Sequence, residues 1–155
     1  MEQLVESLQT ALEMERQGRR FYQDAADRAQ DEIAATILIA LADDEAAHEE
    51  IILRFYNALV KTADWPSPES VEGEPGARVN GIVESAVGAV KPDATFISVY
   101  ETARELEIKS RDFYQELSGR AEDRRLAQFL AFLARVEQAH LYAIETVLHA
   151  TRAGA

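Results

Sequence analysis

Apolar residues recur along most of this chain at alternating spacings of three and four. One run passes through Leu4, Leu8, Ala11, Gly18, Tyr22, Ala25 and Ala29, and a second through Leu38, Leu41, Ile52, Tyr56 and Leu59. A third links Phe96, Tyr100, Ala103, Ser110, Tyr114 and Leu117, and a fourth links Leu126, Leu130, Leu133, Ile144 and Val147. This is the rhythm of helices that bury one stripe in the seam of an antiparallel bundle. It predicts helices over about 2–29, 32–62, 94–119 and 122–151, with Asp31 and Asp123 as N-caps and Pro92-Asp93 opening the third.

The turns near residues 30 and 122 are short, so 1–62 and 93–152 read as two antiparallel helix pairs. Residues 63–92 break the rhythm. Trp65-Pro-Ser-Pro and Glu72-Gly-Glu-Pro-Gly interrupt any helix, and Trp65 is expected to anchor this stretch on the bundle. Val79, Ile82, Val83, Ala86, Val87 and Val90 suggest one short helix within it. A connection this long has to run the length of the bundle. The expectation is one all-α domain over 1–155, a ferritin-like four-helix bundle with a long crossover between its helix pairs.

Six charged or ionisable residues interrupt the stripes at positions otherwise given to Leu, Ile, Tyr or Ala. They are Glu15, Glu45, His48, Glu107, Glu137 and His140. Charge at a core position is costly unless it is paired or bound to metal. Glu45 and His48, like Glu137 and His140, are three apart and share a helix face. Each of the four glutamates lies about 15 residues from its turn, or about 22 Å at 1.5 Å per residue, so all fall at one level.

The two helix pairs are copies of one unit offset by 92 positions, since 107 − 15 and 137 − 45 are both 92. Phe21 and Phe113, Asp31 and Asp123, Leu38 and Leu130, and Leu41 and Leu133 are among the identical pairs. The duplication supplies four carboxylates and two imidazoles, whose charge of −4 offsets two divalent cations. Such a donor set suits iron or manganese, and without thiolate it disfavours copper(I) and structural zinc.

Composition narrows the field further. The chain has no cysteine, which excludes disulfides, cysteine-held zinc and iron–sulfur centres. A net charge of −12 over 155 residues argues against nucleic acid or an anionic membrane as partner. The first residues lack a signal-peptide pattern and no apolar run approaches the roughly 20 residues of a membrane span, so a cytoplasmic location is expected.

The two Glu-x-x-His motifs, with Glu15 and Glu107 each seven residues before a Phe-Tyr pair's tyrosine, resemble the rubrerythrin branch of the ferritin-like superfamily over nearly the whole chain. The resemblance implies a di-iron centre held by Glu15, Glu45, His48, Glu107, Glu137 and His140, with manganese or zinc as substitutes. It implies an oxidoreductase, a peroxidase or ferroxidase, in which Fe(II) is oxidised by hydrogen peroxide or oxygen. Rubrerythrins carry a further glutamate three residues after the third-helix ligand, where this chain has Ser110; the matching first-helix position is Gly18. A rubredoxin iron needs four cysteines, so electrons are expected from a separate donor protein. A homodimer or higher homo-oligomer is expected, with helix exchange left open by the crossover.

Other readings stay open at this point. Iron storage without turnover fits the same residues, and a metal-free helical interaction module fits a satisfied polar core. Tyr22, Tyr114 and Tyr100 either close apolar layers or hydrogen-bond a ligand carboxylate. His149 reads as a surface residue near a helix end, and Glu49-Glu50 as a solvated face.

Overall fold

The computed structural model describes residues 1–62 and 76–153. Four long helices make the bundle: α1 (Glu2–Arg28), α2 (Glu32–Thr62), α4 (Ala94–Arg120) and α5 (Arg124–Ala153). A short helix, α3 (Ala77–Ala86), precedes α4 and runs into a single 3-10 turn at Val87–Ala89. The predicted boundaries hold to within two residues. Tryptophan 65 and the breaker motif at 72–75 lie outside the described residues.

The caps explain where the helices begin. Asp31 Oδ1 accepts from the Ile33 and Ala34 amides at 2.9 Å each, and Asp123 Oδ1 accepts from Arg125 and Leu126 at 2.8 and 3.2 Å. Asp93 Oδ1 accepts from Phe96 N at 2.7 Å. Each carboxylate satisfies amides that the first helical turn leaves without partners.

Packing is densest within the two hairpins, α1 with α2 and α4 with α5. Two apolar clusters fill the bundle ends. Leu8, Leu59, Tyr114 and Leu126 meet in one, so the start of α1, the end of α2, the end of α4 and the start of α5 share an end. Tyr22, Leu38, Phe96, Tyr100 and Ile144 meet in the other. The chain therefore leaves α2 at one end and begins α4 at the opposite end, which is why the crossover must be long. This is the all-α, ferritin-like arrangement expected from the sequence.

α3 lies on the α2/α5 side, where Val79 and Val83 are buried. Gly76 starts it with φ +71°, and a Cβ there would come within 2.6 Å of the Ala139 methyl. Glycine is needed twice over, for the left-handed backbone and for the close approach. Asn80 Nδ2 donates to the Ala139 carbonyl at 3.2 Å, pinning α3 one residue from His140. Among the described residues, no helix is long and apolar enough to cross a membrane.

Candidate metal centre

Between the two apolar clusters lies one polar layer. The structure brings together all six residues singled out in the sequence: Glu15 from α1, Glu45 and His48 from α2, Glu107 from α4, and Glu137 and His140 from α5. Each is buried, the glutamates to 3% exposure or less and His140 completely. Four carboxyls and two imidazoles at this depth carry a desolvation cost of several kcal/mol per charge unless something compensates.

Their ligating atoms form two groups. Glu15, Glu45, His48 and Glu137 make one, and Glu45, Glu107, Glu137 and His140 make the other. In each group, one atom from every residue lies within 4.8 Å of the others. Glu45 and Glu137 belong to both. His48 Nδ1 is 3.5 Å from Glu15 Oε2, while His140 Nδ1 is 3.3 Å from Glu45 Oε1 and 3.5 Å from Glu107 Oε1.

The polar atoms facing inward lack partners. Glu15 Oε2, His48 Nδ1, Glu107 Oε2, Glu137 Oε1 and His140 Nδ1 are all buried without a hydrogen bond. Five orphaned acceptors or donors in one layer are far too many for a finished polar core. They are the atoms a pair of cations would satisfy, so the donor set fits the metal that the sequence implied.

Two tyrosines brace the layer crosswise. Tyr22 of α1 donates to Glu107 Oε1 of α4 at 2.5 Å, and Tyr114 of α4 donates to Glu15 Oε1 of α1 at 2.6 Å. Burial and the facing carboxylates raise both hydroxyls well above pKa 10, so they remain neutral donors. Tyr100 is different: it is fully buried, and its hydroxyl has no hydrogen-bond partner.

Electrostatics divide the carboxyls into two kinds. Burial pushes Glu15 up, but the Glu45 carboxyl, the His48 ring and the Tyr114 hydroxyl outweigh it and hold its pKa at about 2. Burial likewise opposes the charge on Glu107, and Glu137, His140 and Tyr22 outweigh it. Glu45 and Glu137 stand well above the carboxylate range, through burial first and then repulsion from the ionised Glu15 and Glu107. Without metal, then, the site favours charge on the two outer glutamates and disfavours it on the two shared ones. Burial disfavours the charged His140 ring, but Glu107, Asp44 and Glu45 overcome it and raise its pKa well above 6.5.

Asp44 is the residue that the sequence reading missed. Its Oδ2 lies 2.9 Å from His140 Nε2, the ring nitrogen facing away from the carboxylates. The signal was there: an acid stands immediately before Glu45-x-x-His48, on the side of α2 that meets α5. Other expectations resolve simply. His149 is exposed and far along α5 from the layer. Glu50 is exposed, but Glu49 is mostly buried and pairs with Arg16 and Arg19 at 2.9 Å each, so it is a bridge to α1 rather than a solvated face.

A cavity of about 80 Å³ reaches the carboxylates from the α1/α4 side, between Gly18 and Ser110. A single water requires roughly 10–15 Å³, so molecules the size of oxygen or hydrogen peroxide fit. A larger cavity, about 270 Å³, sits at the far end of the bundle among Phe21, Arg28, Lys91 and Phe96 and touches none of the six residues.

Comparison with known proteins agrees with this geometry. A hypothetical protein from Pyrococcus furiosus shares the fold with a TM-score of 0.71 at 19% identity, over 97% of this chain and 91% of that one. No curated protein matches. The rubrerythrin family model matches residues 6–148, nearly the whole chain and every residue of the polar layer. The chain belongs to the rubrerythrin family.

Proposed function

We propose that this protein is a di-iron carboxylate oxidoreductase in which Fe(II) is oxidised by hydrogen peroxide or oxygen. The observation that carries this reading is the convergence of five orphaned ligand atoms on two groups that share Glu45 and Glu137. Glu15 and His48 would hold one ion, Glu107 and His140 the other, and the shared glutamates would bridge them. Bound iron would supply the redox chemistry toward peroxide or oxygen. Manganese or zinc would be accepted by the same donors.

The chain's own residues account for the rest. Tyr22 and Tyr114 fix the orientation of the outer carboxylates and keep their protons there. Cations in those places would favour the ionised forms of Glu45 and Glu137, and four carboxylates would then neutralise two divalent charges. The gap between Gly18 and Ser110 admits a small oxidant while the apolar clusters exclude bulk water. With no cysteine in these 155 residues, a cysteine-held iron delivering reducing electrons would lie outside them.

Protein expressed under iron-replete conditions tests this by elemental analysis and an optical spectrum before and after peroxide. The expected result is about two irons per chain, one for each ligand group, and an absorption change on oxidation. Iron that binds but is not oxidised would leave storage as the role. A metal content near zero would overturn the reading.

A further inference from the structure

The duplicated ligands are matched, but the support behind the two histidines is not. His140 is held by a hydrogen bond at its outer ring nitrogen, while its inner one faces the carboxylates unbonded. Nδ1 faces Glu45 and Glu107 across 3.3 and 3.5 Å, and Nε2 donates to Asp44 across 2.9 Å. His48 faces Glu15 through Nδ1 at 3.5 Å, and among the described residues its other nitrogen makes no hydrogen bond. Asp44 and a ring nitrogen of His48 lie within 4.8 Å, near enough to sense each other's charge but not bonded.

The asymmetry is written in the duplicated sequence. The position matching Asp44 in the second copy is 44 + 92 = 136, and there the chain has Val136, buried and apolar. Asp44 reaches from α2 to the histidine of α5, while Val136 offers the histidine of α2 nothing to bond. A carboxylate on the outer nitrogen fixes the tautomer and ring orientation and makes the inner nitrogen a better donor to a cation. Removing such a partner characteristically lowers metal affinity roughly 10–100-fold.

We propose that Asp44 makes the centre unequal, so that the Glu107–His140 half takes the first divalent ion tightly and the Glu15–His48 half takes the second more weakly. Asp44 acts through His140 and is a positioning residue. The inference rests on the metal-binding reading above and adds an order of filling. It also gives the two halves different lives: one ion is resident, and the other exchanges with solution.

Calorimetric titration of apoprotein with Co(II), followed in parallel by the cobalt visible spectrum, tests it. The wild-type protein should show two steps whose dissociation constants differ by roughly tenfold or more. Asp44→Asn keeps the side-chain volume and should weaken the tighter step roughly 10–100-fold while sparing the weaker one, so that the two merge. The cobalt spectrum of the first-filled half should change with it, and Asp44→Glu should restore part of the gap. A buried structural loss would instead weaken both steps together. Two equal steps in the wild type, or an unchanged gap in Asp44→Asn, would overturn the inference while leaving the metal centre intact. Failure to bind cobalt at all would overturn the underlying reading as well.

Discussion

The α1–α2 and α4–α5 hairpins carry the same ligands at the same spacing, yet they have diverged around them. Glu15 and Glu107, Glu45 and Glu137, His48 and His140, and Tyr22 and Tyr114 are retained in both copies. Asp44 faces Val136, Leu8 faces Tyr100, and Gly18 faces Ser110 across the same offset. The retained set is what charge demands: four carboxylates for two cations, and a donor on each outer carboxylate. That demand does not hold the rest equal, and there the copies differ: Asp44 supports His140 where Val136 leaves His48 without a matching partner.

The sharpest way to break the comparison is to remove a shared residue and then an unshared one. Glu45→Ala or Glu137→Ala takes an oxygen donor from both groups, so metal content should fall from about two ions per chain to near zero. Glu15→Ala or Glu107→Ala strips only one group and should leave about one ion. Elemental analysis after dialysis distinguishes them. Equal losses from all four would mean that no carboxylate is shared.

A second effect separates the empty centre from the filled one. Glu45 and Glu137 have raised pKa values when folded, so their contribution to stability is complete below about 4.5 and is lost as pH rises through the elevated values. His140 acts in the same direction, its contribution complete below 6.5 and lost as pH rises past its raised pKa. Glu15 acts at the other extreme: its contribution is present above 4.5 and is lost as pH falls through about 2. The Tm of apoprotein should therefore fall as pH rises from about 6 to 9. Metal-loaded protein should gain Tm over the same span, because protons and cations compete for these ligands. Melting curves of both forms across that range check it, and parallel slopes would refute the upward shift of the shared glutamates.

The contrast between copies also explains what could be seen before the fold was known. The six layer residues were legible because each breaks an apolar stripe, and because the duplication places every break twice. The helix ends were legible from Asp31, Asp93 and Asp123, whose side chains cap amides only two or three residues on. Asp44 was hidden for the opposite reason. It lies off the core stripe, it has no counterpart in the second copy, and its partner is 96 residues away. The crosswise pairing of Tyr22 with Glu107 and Tyr114 with Glu15 was hidden too. A stripe says that a tyrosine is buried, but only the packing of α1 against α4 says which carboxylate it meets.

The smallest effect concerns Gly18, where the first copy is one side chain poorer than the second. Glycine inside α1 costs about 0.5–1 kcal/mol relative to alanine, with no turn or positive φ to require it. A Cβ at this position would meet Glu45 Cδ at 3.4 Å and Oε2 at 3.5 Å, which is ordinary contact. Gly18→Ala should therefore fold and raise Tm by about 2–4 °C for each kcal/mol gained. The added methyl would also narrow the 80 Å³ cavity beside Glu45 and slow oxidation by peroxide, with metal content unchanged. Ser110→Ala, across the same opening, removes an oxygen and adds nothing to the wall, so its rate should stay at the wild-type level. The pair asks whether Gly18 is kept for space at the carboxylates. A stabilised Gly18→Ala protein that still oxidises at full rate would show that the cavity is wider than its chemistry needs.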